Sequence, residues 1–214
     1  MKITFYLLLI LAAACGYLCS SLNAAIIMSK LVYKKDIRNL GSGNPGFTNF
    51  CRVFGTNAVA VSVFIIDMLK AIIPVAIFAH VFGTAYGMRQ FGAAFTGLFC
   101  MIGHCFPLYY GFKGGKAYVT GATIIFIIDW RIGLICWAVF LIILFGIKYM
   151  SLASCVFALL VPILLAVMDK PMIGTEICSI LATILLIWRH KGNLQRLFRG
   201  EEKKFSFHKK GTEA

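Results

Sequence analysis

Long apolar runs separated by short polar segments are the main pattern of the chain. A helix that crosses the hydrocarbon core of a bilayer needs about 20 mostly apolar residues. We divide the run from 117 to 148 because Asp129, Arg131 and Gly133 interrupt it. The resulting seven spans cover 3–28, 53–82, 91–110, 117–128, 132–148, 151–168 and 172–189. The pattern predicts an all-α polytopic membrane protein with seven transmembrane helices.

The first apolar run has two interpretations. Ala12 to Cys15 is similar to a lipoprotein cleavage box. The run continues to Met28, however, which is too long for the hydrophobic region of a signal peptide. We therefore expect this segment to be retained as the first span.

The polar residues after the last span form a separate segment. We assign 1–190 to a seven-helix transmembrane domain and 191–214 to a short basic cytoplasmic tail. Within the tail, Leu194, Leu197 and Phe198 have helical spacing. This spacing predicts a short amphipathic helix that lies at the membrane interface.

Composition agrees with a lipid environment. Of the 214 residues, 60% are apolar and 14% are charged. A soluble domain is usually about 45–50% apolar and about 25% charged. The composition excludes a disordered chain, a disulfide-stabilised secreted module and an ordinary cytosolic enzyme.

Positive charge is distributed unevenly between the two sides of the predicted bundle. The net charge is +13, and the chain has 21 Lys and Arg residues. With the N-terminus outside, sixteen of these 21 lie in the inside segments 29–52, 111–116, 148–150 and 189–214. Because Lys and Arg are enriched in cytoplasmic loops, this count predicts an external N-terminus and a cytoplasmic C-terminus. The charge favours binding to anionic lipids and anionic substrates over nucleic acid.

The first cytoplasmic loop contains a glycine-rich segment. Gly41, Gly43 and Gly46 match a G-x-G-x-x-G pattern. No strand precedes the pattern, so a dinucleotide-binding fold is excluded. Glycines still let backbone N–H groups approach an anion. Neutral donors and one arginine accompany them, namely Ser42, Asn44, Thr48, Asn49 and Arg52. The alternative is an ordinary polar turn.

Two further polar segments carry basic side chains. Lys113 and Lys116 flank Gly114 and Gly115 at the entry to a predicted helix, which is a favourable position for an anion. After the seventh span, His190 is followed by Asn193 and Arg196. His190 is interpreted as a base, a phosphate donor or an interfacial side chain. Basic residues at these edges are otherwise explained as signals that determine membrane orientation.

Three acidic or basic residues lie inside predicted spans. Asp67 and Lys70 are three residues apart and share a helix face, so they pair with each other or take part in function. Glu176 has no partner that the sequence identifies. The eight cysteines are interpreted as small apolar packing residues. His and carboxylate residues do not cluster, so we expect no metal site.

The three polar segments together resemble the bacterial acyl-phosphate glycerol-3-phosphate acyltransferase family (PlsY). Gly41 to Arg52 matches the first family motif at every fixed position. Gly103, His104 and Pro107 with Phe112 to Lys116 match the second, and His190 to Glu202 matches the third except for Leu194. A segment beginning at Ser151 is also similar. The first span departs from the family near Ser20, and Val119 stands before Thr120 where the family has Ala.

The resemblance implies transfer of a fatty acyl group from acyl phosphate to the sn-1 hydroxyl of glycerol 3-phosphate. The products are lysophosphatidic acid and phosphate, in the first step of phospholipid synthesis. The implied catalytic residues are Ser42, Arg52, Lys116, His190 and Asn193. The implied substrate-binding residues are Gly41, Gly43, Asn44, Thr48, Asn49, His104, Lys113, Gly114, Gly115, Thr120, Ser151 and Arg196. The backbone of Gly41 to Asn44 and of Gly114–Gly115 is expected to hold an anion.

The family also implies an environment and partners. We expect a multi-pass monomer in the bacterial cytoplasmic (inner) membrane, with its active site facing the cytoplasm. Its expected partners are glycerol 3-phosphate, a long-chain acyl phosphate and membrane lipids, with no nucleic acid and no cofactor. The rival class is a small transporter of organic anions. A lipid-anchored structural protein would leave the three polar segments unexplained.

Overall fold

The computed structural model describes residues 2–205, and these residues form ten α-helices without a β-strand. The helices are α1 (Lys2–Ser21), α2 (Ala24–Tyr33), α3 (Phe47–Phe54), α4 (Ala58–Tyr86), α5 (Arg89–Cys105), α6 (Tyr118–Ile128), α7 (Trp130–Ile147), α8 (Met150–Leu164), α9 (Ile173–Arg189) and α10 (Lys191–Phe198). Short 3₁₀ turns cover Ile37–Asn39 and Leu108–Tyr110, and a π-helical turn covers Leu165–Asp169. The predicted all-α class is confirmed for this part of the chain.

Several helices are long and apolar enough to cross a membrane. Among residues 2–205 there are five such segments: Thr4–Tyr33, Ala58–Tyr86, Arg89–Tyr110, Trp130–Ile147 and Met150–Asp169. A sixth is obtained if α9 and α10, which meet at a bend of 56°, count as one span. α6 has 11 residues, which at 1.5 Å per residue is about 16 Å and shorter than the hydrocarbon core.

The helix α5 is the centre of the bundle. It packs against α1, α4, α6 and α9. The contact with α1 is close because small residues face each other: a Cβ on Gly16 would lie 2.8 Å from the Thr96 carbonyl oxygen, and one on Gly103 would overlap the Tyr17 carbonyl oxygen. Such small residues let helix backbones approach closely inside a membrane.

The predicted first span corresponds to the apolar segment Thr4–Tyr33, which two helices form instead of one. The chain leaves α1 at Ser21 and begins α2 at Ala24. Asn23 separates the two helices, since its side-chain oxygen accepts a hydrogen bond from the Ile26 N–H at 2.9 Å and caps α2. Its amide nitrogen donates to the Pro45 carbonyl at 3.1 Å. Asn23 therefore joins the first membrane segment to the glycine-rich loop.

The predicted second span also has different limits. Residues 53 and 54 belong to α3, and Gly55 then adopts φ +81°. Asn57 caps α4 by accepting a hydrogen bond from the Ala60 N–H at 3.0 Å. α4 runs on to Tyr86, four residues past the predicted end. Gly55 and the Asn57 cap therefore separate α4 from α3, the short helix at the end of the polar loop.

Two local predictions are confirmed. The apolar run of residues 117–148 breaks at Asp129, which caps α7 by accepting from the Arg131 N–H at 2.8 Å. The predicted amphipathic helix of the tail is α10, where Leu194 packs against the core and Phe198 is exposed. Residues 206–214 of the predicted tail lie outside the described residues.

The outer surface of the bundle is apolar. Large aliphatic side chains such as Leu7, Ile73, Ile142 and Ile184 are more than half exposed. An apolar patch of this extent on a soluble protein would favour association or aggregation. In a bilayer the same side chains contact lipid.

Candidate functional site

A polar cavity, about 360 Å³ in volume, lies where the polar loops meet. Its walls come from the loop before α3, from the start of α6, from the start of α8 and from the segment around α10. Among the predicted site residues, those that line it are Gly41, Ser42, Asn44, Thr48, Asn49, Arg52, His104, Lys116, Ser151, His190, Asn193 and Arg196. Side chains far apart in sequence thus share one concave site of the size typical for small ligands.

The glycine-rich loop is braced from within. The Asn49 side chain accepts a hydrogen bond from the Ser42 N–H at 2.9 Å and donates to the Leu40 carbonyl at 3.0 Å. The Gly43 N–H also donates to Leu40, at 2.9 Å. Two of the backbone donors predicted to hold an anion are therefore already used, and Asn49 acts as a brace. The side chains of Ser42 and its neighbours supply donors instead.

The Gly114–Gly115 pair has a packing role, which corrects its predicted role. The Gly114 N–H donates to the Cys105 carbonyl at 3.2 Å, and the Gly115 N–H donates to the His104 carbonyl at 3.1 Å. A Cβ at Gly115 would overlap His104 Nε2, and one at Gly114 would overlap the His104 carbonyl oxygen. The pair lets the loop pass directly over the end of α5, and its N–H groups donate to backbone carbonyls of that helix.

Arg189 fixes the same loop from the other side. Its guanidinium donates to the Gly115 carbonyl at 3.0 Å and to the Gly114 carbonyl at 2.8 Å. It also lies over the Phe106 ring, 5.4 Å from the centroid. No role was predicted for Arg189, because a basic residue at the end of a span is explained by membrane orientation alone.

Some predicted site residues do not line the cavity. Lys113 is exposed on the far side of its loop. Thr120 is fully buried in α6, and Gly43 is absent from the lining. Gly114 and Gly115 are also outside the lining. Glu176, whose role the sequence left open, is remote from it as well. The motifs therefore include residues that shape the loops and residues that face the cavity.

Glu202 is the centre of a hydrogen-bond cluster in the cavity. Its Oε1 accepts from Ser151 Oγ at 3.0 Å and from Asn193 Nδ2 at 2.6 Å, and its Oε2 accepts from Arg196 Nε at 3.0 Å. Lys116 Nζ donates to Asn193 Oδ1. One carboxylate thus orients three donors that were predicted to bind substrate. The sequence placed Glu202 in the third motif without assigning it to the site.

The electrostatics of the cavity affect two groups outside the helical spans. Burial lowers the pKa of Lys116 to about 8, with smaller contributions from Arg196, Arg189 and Arg52 and an opposing one from Glu202. Burial raises the pKa of Glu202, but hydrogen bonds from Asn193, Ser151 and Arg196 outweigh this and lower it overall. The cavity therefore holds several cationic groups close together, as an anion site requires.

Asp67 lines the base of the cavity beside His104. Lys70 Nζ lies 2.7 Å from Asp67 Oδ1, in an ion pair whose two side chains are almost fully buried. The predicted pairing of these two residues is confirmed, and Lys70 also contacts His104 Nδ1 at 2.9 Å. No group of three or more His, Cys, Asp or Glu side chains suited to a metal ion occurs within residues 2–205.

Comparison with known proteins identifies relatives along nearly the whole chain. The family model described as glycerol-3-phosphate acyltransferase matches residues 10–200. The glycerol-3-phosphate acyltransferase of Cupriavidus metallidurans is 37% identical over 204 residues, covering 94% of this chain and 98% of the relative.

Solved structures agree with the sequence relatives. The crystal structure of PlsY (YgiH), an integral membrane glycerol 3-phosphate acyltransferase, in its glycerol 3-phosphate form superposes with a TM-score of 0.83. It is 33% identical, and the match covers 92% of this chain and 96% of that one. The lysophosphatidic acid form of the same protein gives a TM-score of 0.81 at 32% identity, covering 93% of this chain and 96% of that one.

Proposed function

Since the chain belongs to the glycerol-3-phosphate acyltransferase family of integral membrane enzymes, we propose that its donor is a long-chain acyl phosphate. The acyl group is transferred to the sn-1 hydroxyl of glycerol 3-phosphate, which gives lysophosphatidic acid and phosphate. The observation that carries this proposal is the convergence of Ser42, Arg52, Lys116, His190 and Asn193 on one cavity. Two phosphate groups need such a set of donors.

For this reaction the enzyme has to align the two substrates and stabilise the developing charge. It has little need to activate the acyl donor. An acyl phosphate is a mixed anhydride, so its carbonyl carbon is already electrophilic. The glycerol oxygen forms a bond to this carbon while the bond from carbon to the phosphate oxygen breaks, and phosphate leaves with the electron pair. Holding the two anions side by side brings the hydroxyl to the carbonyl, and fixed donors stabilise the developing negative charge.

The roles follow from charge and position. We assign the two phosphates to the cations Arg52 and Lys116, with the hydroxyls of Ser42 and Ser151 as neutral donors. Arg52 is exposed, and within residues 2–205 no hydrogen bond or ion pair engages its side chain. Its guanidinium fork is free to bind a phosphate in a bidentate manner. Asn193 and its neighbour Arg196 complete the site.

Two groups compete for the proton that the hydroxyl loses. His190 Nδ1 lies 2.9 Å from the Leu186 carbonyl, which accepts only if Nδ1 carries a proton, so Nε2 is left with a lone pair. This tautomer suits a base. The departing phosphate is a second acceptor that needs no protein group. Retention of most activity by His190→Gln would eliminate the base role.

We propose a matching arrangement in the membrane. The short α6 acts as a seventh span beside the longer ones, the N-terminus is outside, and the cavity opens to the cytoplasm of a bacterial inner membrane. The chain works as a monomer among membrane lipids. The cavity supports this because all four segments predicted to be cytoplasmic contribute to its wall.

The decisive experiment is phosphate release by the purified protein from a long-chain acyl phosphate, measured with and without glycerol 3-phosphate. We expect release that depends on glycerol 3-phosphate, with an equal amount of lysophosphatidic acid. Uptake of glycerol 3-phosphate by proteoliposomes without acyl product would instead favour the transporter.

The cationic assignments have their own test. We expect Arg52→Ala and Lys116→Ala to lose about 10- to 100-fold in kcat/KM, because a hydrogen bond to a charged group contributes about 1.5–3 kcal/mol. Lys35→Ala, on an exposed lysine outside the cavity, is the matched control. A normal KM for glycerol 3-phosphate in both variants would contradict their assignment to phosphate.

A further inference from the structure

The buried ion pair of α4 lies beneath the cavity and is not explained by the proposed chemistry. Asp67 is 1% exposed and Lys70 is 8% exposed. Asp67 and His104 line the cavity, whereas Lys70 lies behind them. Burying two charges costs more than their attraction returns unless further hydrogen bonds complete the pair. The remaining contacts of Lys70 therefore indicate why the pair is there.

Three acceptors surround the Lys70 ammonium. The Leu22 carbonyl oxygen and His104 Nδ1 each lie 2.9 Å from Nζ, and Asp67 Oδ1 lies 2.7 Å away. An ammonium has three protons to donate and cannot accept. Nδ1 of His104 must therefore be the unprotonated nitrogen. In a neutral imidazole the single proton is then on Nε2.

The Nε2–H of His104 is left available to a ligand. Among residues 2–205 no hydrogen bond engages Nε2. The nitrogen lies against Gly115, where any Cβ would overlap it. His104 itself lines the cavity. A donor at this place favours a phosphate oxygen, whereas the opposite tautomer would present a lone pair and repel it.

We propose that Lys70 is a positioning residue that holds His104 in the Nε2–H tautomer, so that a neutral donor faces the anion in the cavity. Asp67 neutralises the ammonium and keeps it in place. The identity of the anion as a substrate phosphate rests on the proposed function. The two histidines of the cavity thus have opposite tautomers, because His190 donates through Nδ1 to a carbonyl.

The tautomer is measured directly by ¹⁵N NMR of histidine-labelled protein in detergent, with His104→Gln identifying the signal. We expect a protonated Nε2 and an unprotonated Nδ1 in the wild type. Lys70→Met leaves Asp67 Oδ1, 3.9 Å from Nδ1, as the charged neighbour of this nitrogen, so the proton moves to Nδ1. Lys70→Arg keeps the donor and the original tautomer. A wild-type Nδ1–H, or an unchanged tautomer in Lys70→Met, overturns the proposal.

Removing Lys70 alone leaves a buried unpaired carboxylate, which is strongly destabilising. A second variant, Asp67→Ala/Lys70→Met, removes both charges, and His104 should then populate both tautomers. Retention of pure Nε2–H in this variant would overturn the proposal. Lys35→Met, on an exposed lysine, is the matched control and should leave the His104 signals unchanged.

Activity supplies the second readout. We expect Lys70→Met to lower kcat/KM about 10- to 100-fold, the loss expected for one hydrogen bond to a charged group. In a His104→Ala background the same substitution should cost less than twofold, since the two residues act through one contact. Additive losses would overturn the positioning role. If the wild-type protein has the expected histidine tautomers but transfers no acyl group, the proposed function is rejected and the positioning role of Lys70 is retained.

Discussion

Two opposing electrostatic effects act on the Lys116 side chain. Burial and three neighbouring arginines favour its neutral form, while Glu202 favours the ammonium. An anion bound in the cavity would add to the influence of Glu202. The charge of this lysine in the free protein is therefore sensitive to pH near neutrality, unlike that of an exposed lysine.

We predict an alkaline loss of activity from this environment. The pKa of Lys116 is lowered from 10.5 to about 8, so the ammonium is present below that pH and is lost above it. The value of kcat/KM for glycerol 3-phosphate, which reports the free enzyme, should fall as pH rises through about 8. A phosphate monoester has its second pKa near 6 and is already a dianion there.

The control for this pH profile is Lys116→Arg. A guanidinium stays charged over the whole range, so the variant should show no fall between pH 7.5 and 9.5 even if its activity is lower. If kcat/KM fell with the same midpoint pH in the wild type and in this variant, the titrating group would be one other than Lys116.

The glycine pair gives a second prediction at this scale. We expect Gly115→Ala to reduce kcat/KM by more than tenfold, because the added methyl would overlap His104 Nε2 and lie 3.2 Å from the Pro45 carbonyl oxygen. Gly146→Ala in α7, where no atom lies within 4 Å of the added Cβ, should be nearly neutral. Equal activity of the two variants would contradict the close packing at Gly115.

Among the elements, the α6–α7 junction is held by a polar group remote from the cavity. Asp129 accepts from the N–H groups of Arg131 and Ile132 at 2.8 and 3.4 Å. The Arg131 guanidinium bridges Asp129 to Asp169, which ends the π-helical turn after α8. The junction therefore affects stability separately from chemistry.

We predict that Asp129→Ala lowers the free energy of unfolding by about 1 kcal/mol, the usual cost of losing an N-cap. For a chain of this size the midpoint of thermal unfolding in detergent should fall by about 2–4 °C. Asp129→Asn keeps the cap and should be close to wild type, since the ion pair with half-exposed Arg131 contributes little. Specific activity should be unchanged in both variants. If Asp129→Asn lowered the unfolding midpoint more than Asp129→Ala does, the capping role of Asp129 would be contradicted.

Sequence patterns predicted the elements better than their breaks. The division at Asp129 was evident because charged residues and a glycine interrupt an apolar run. The breaks at Asn23 and Gly55 were missed, since a lone polar residue or glycine in an apolar run also occurs inside spans. What distinguishes Asn23 is its bond to the Pro45 carbonyl, a contact between segments that no local pattern contains.

The motifs predicted which residues belong to the site, but they did not predict how those residues are arranged. Motif spacing identified Ser42, Arg52, Lys116, His190, Asn193 and Arg196, and all of these line the cavity. It did not distinguish them from Asn49, which braces a loop, or from Gly115, which permits close packing. The same residue types donate hydrogen bonds to a ligand at some positions and to the backbone at others. Only the contacts in the folded structure distinguish the two roles.

For the whole molecule, the uneven distribution of Lys and Arg leads to a test of orientation. We predict that a protease added to intact spheroplasts removes an N-terminal tag and leaves a C-terminal tag. In inverted membrane vesicles the C-terminal tag should be removed instead. Removal of both tags from the same side would require an even number of spans and would contradict the proposed arrangement.

The cavity is assembled from segments that are far apart in synthesis. Its wall requires Ser42 and Arg52 from the beginning of the chain and Asn193 and Glu202 from near residue 200. While the earlier spans are being inserted, only part of the set of groups that we propose to bind phosphate has been synthesised. An incompletely inserted chain therefore lacks part of the proposed site, and we expect acyl transfer only from the complete bundle.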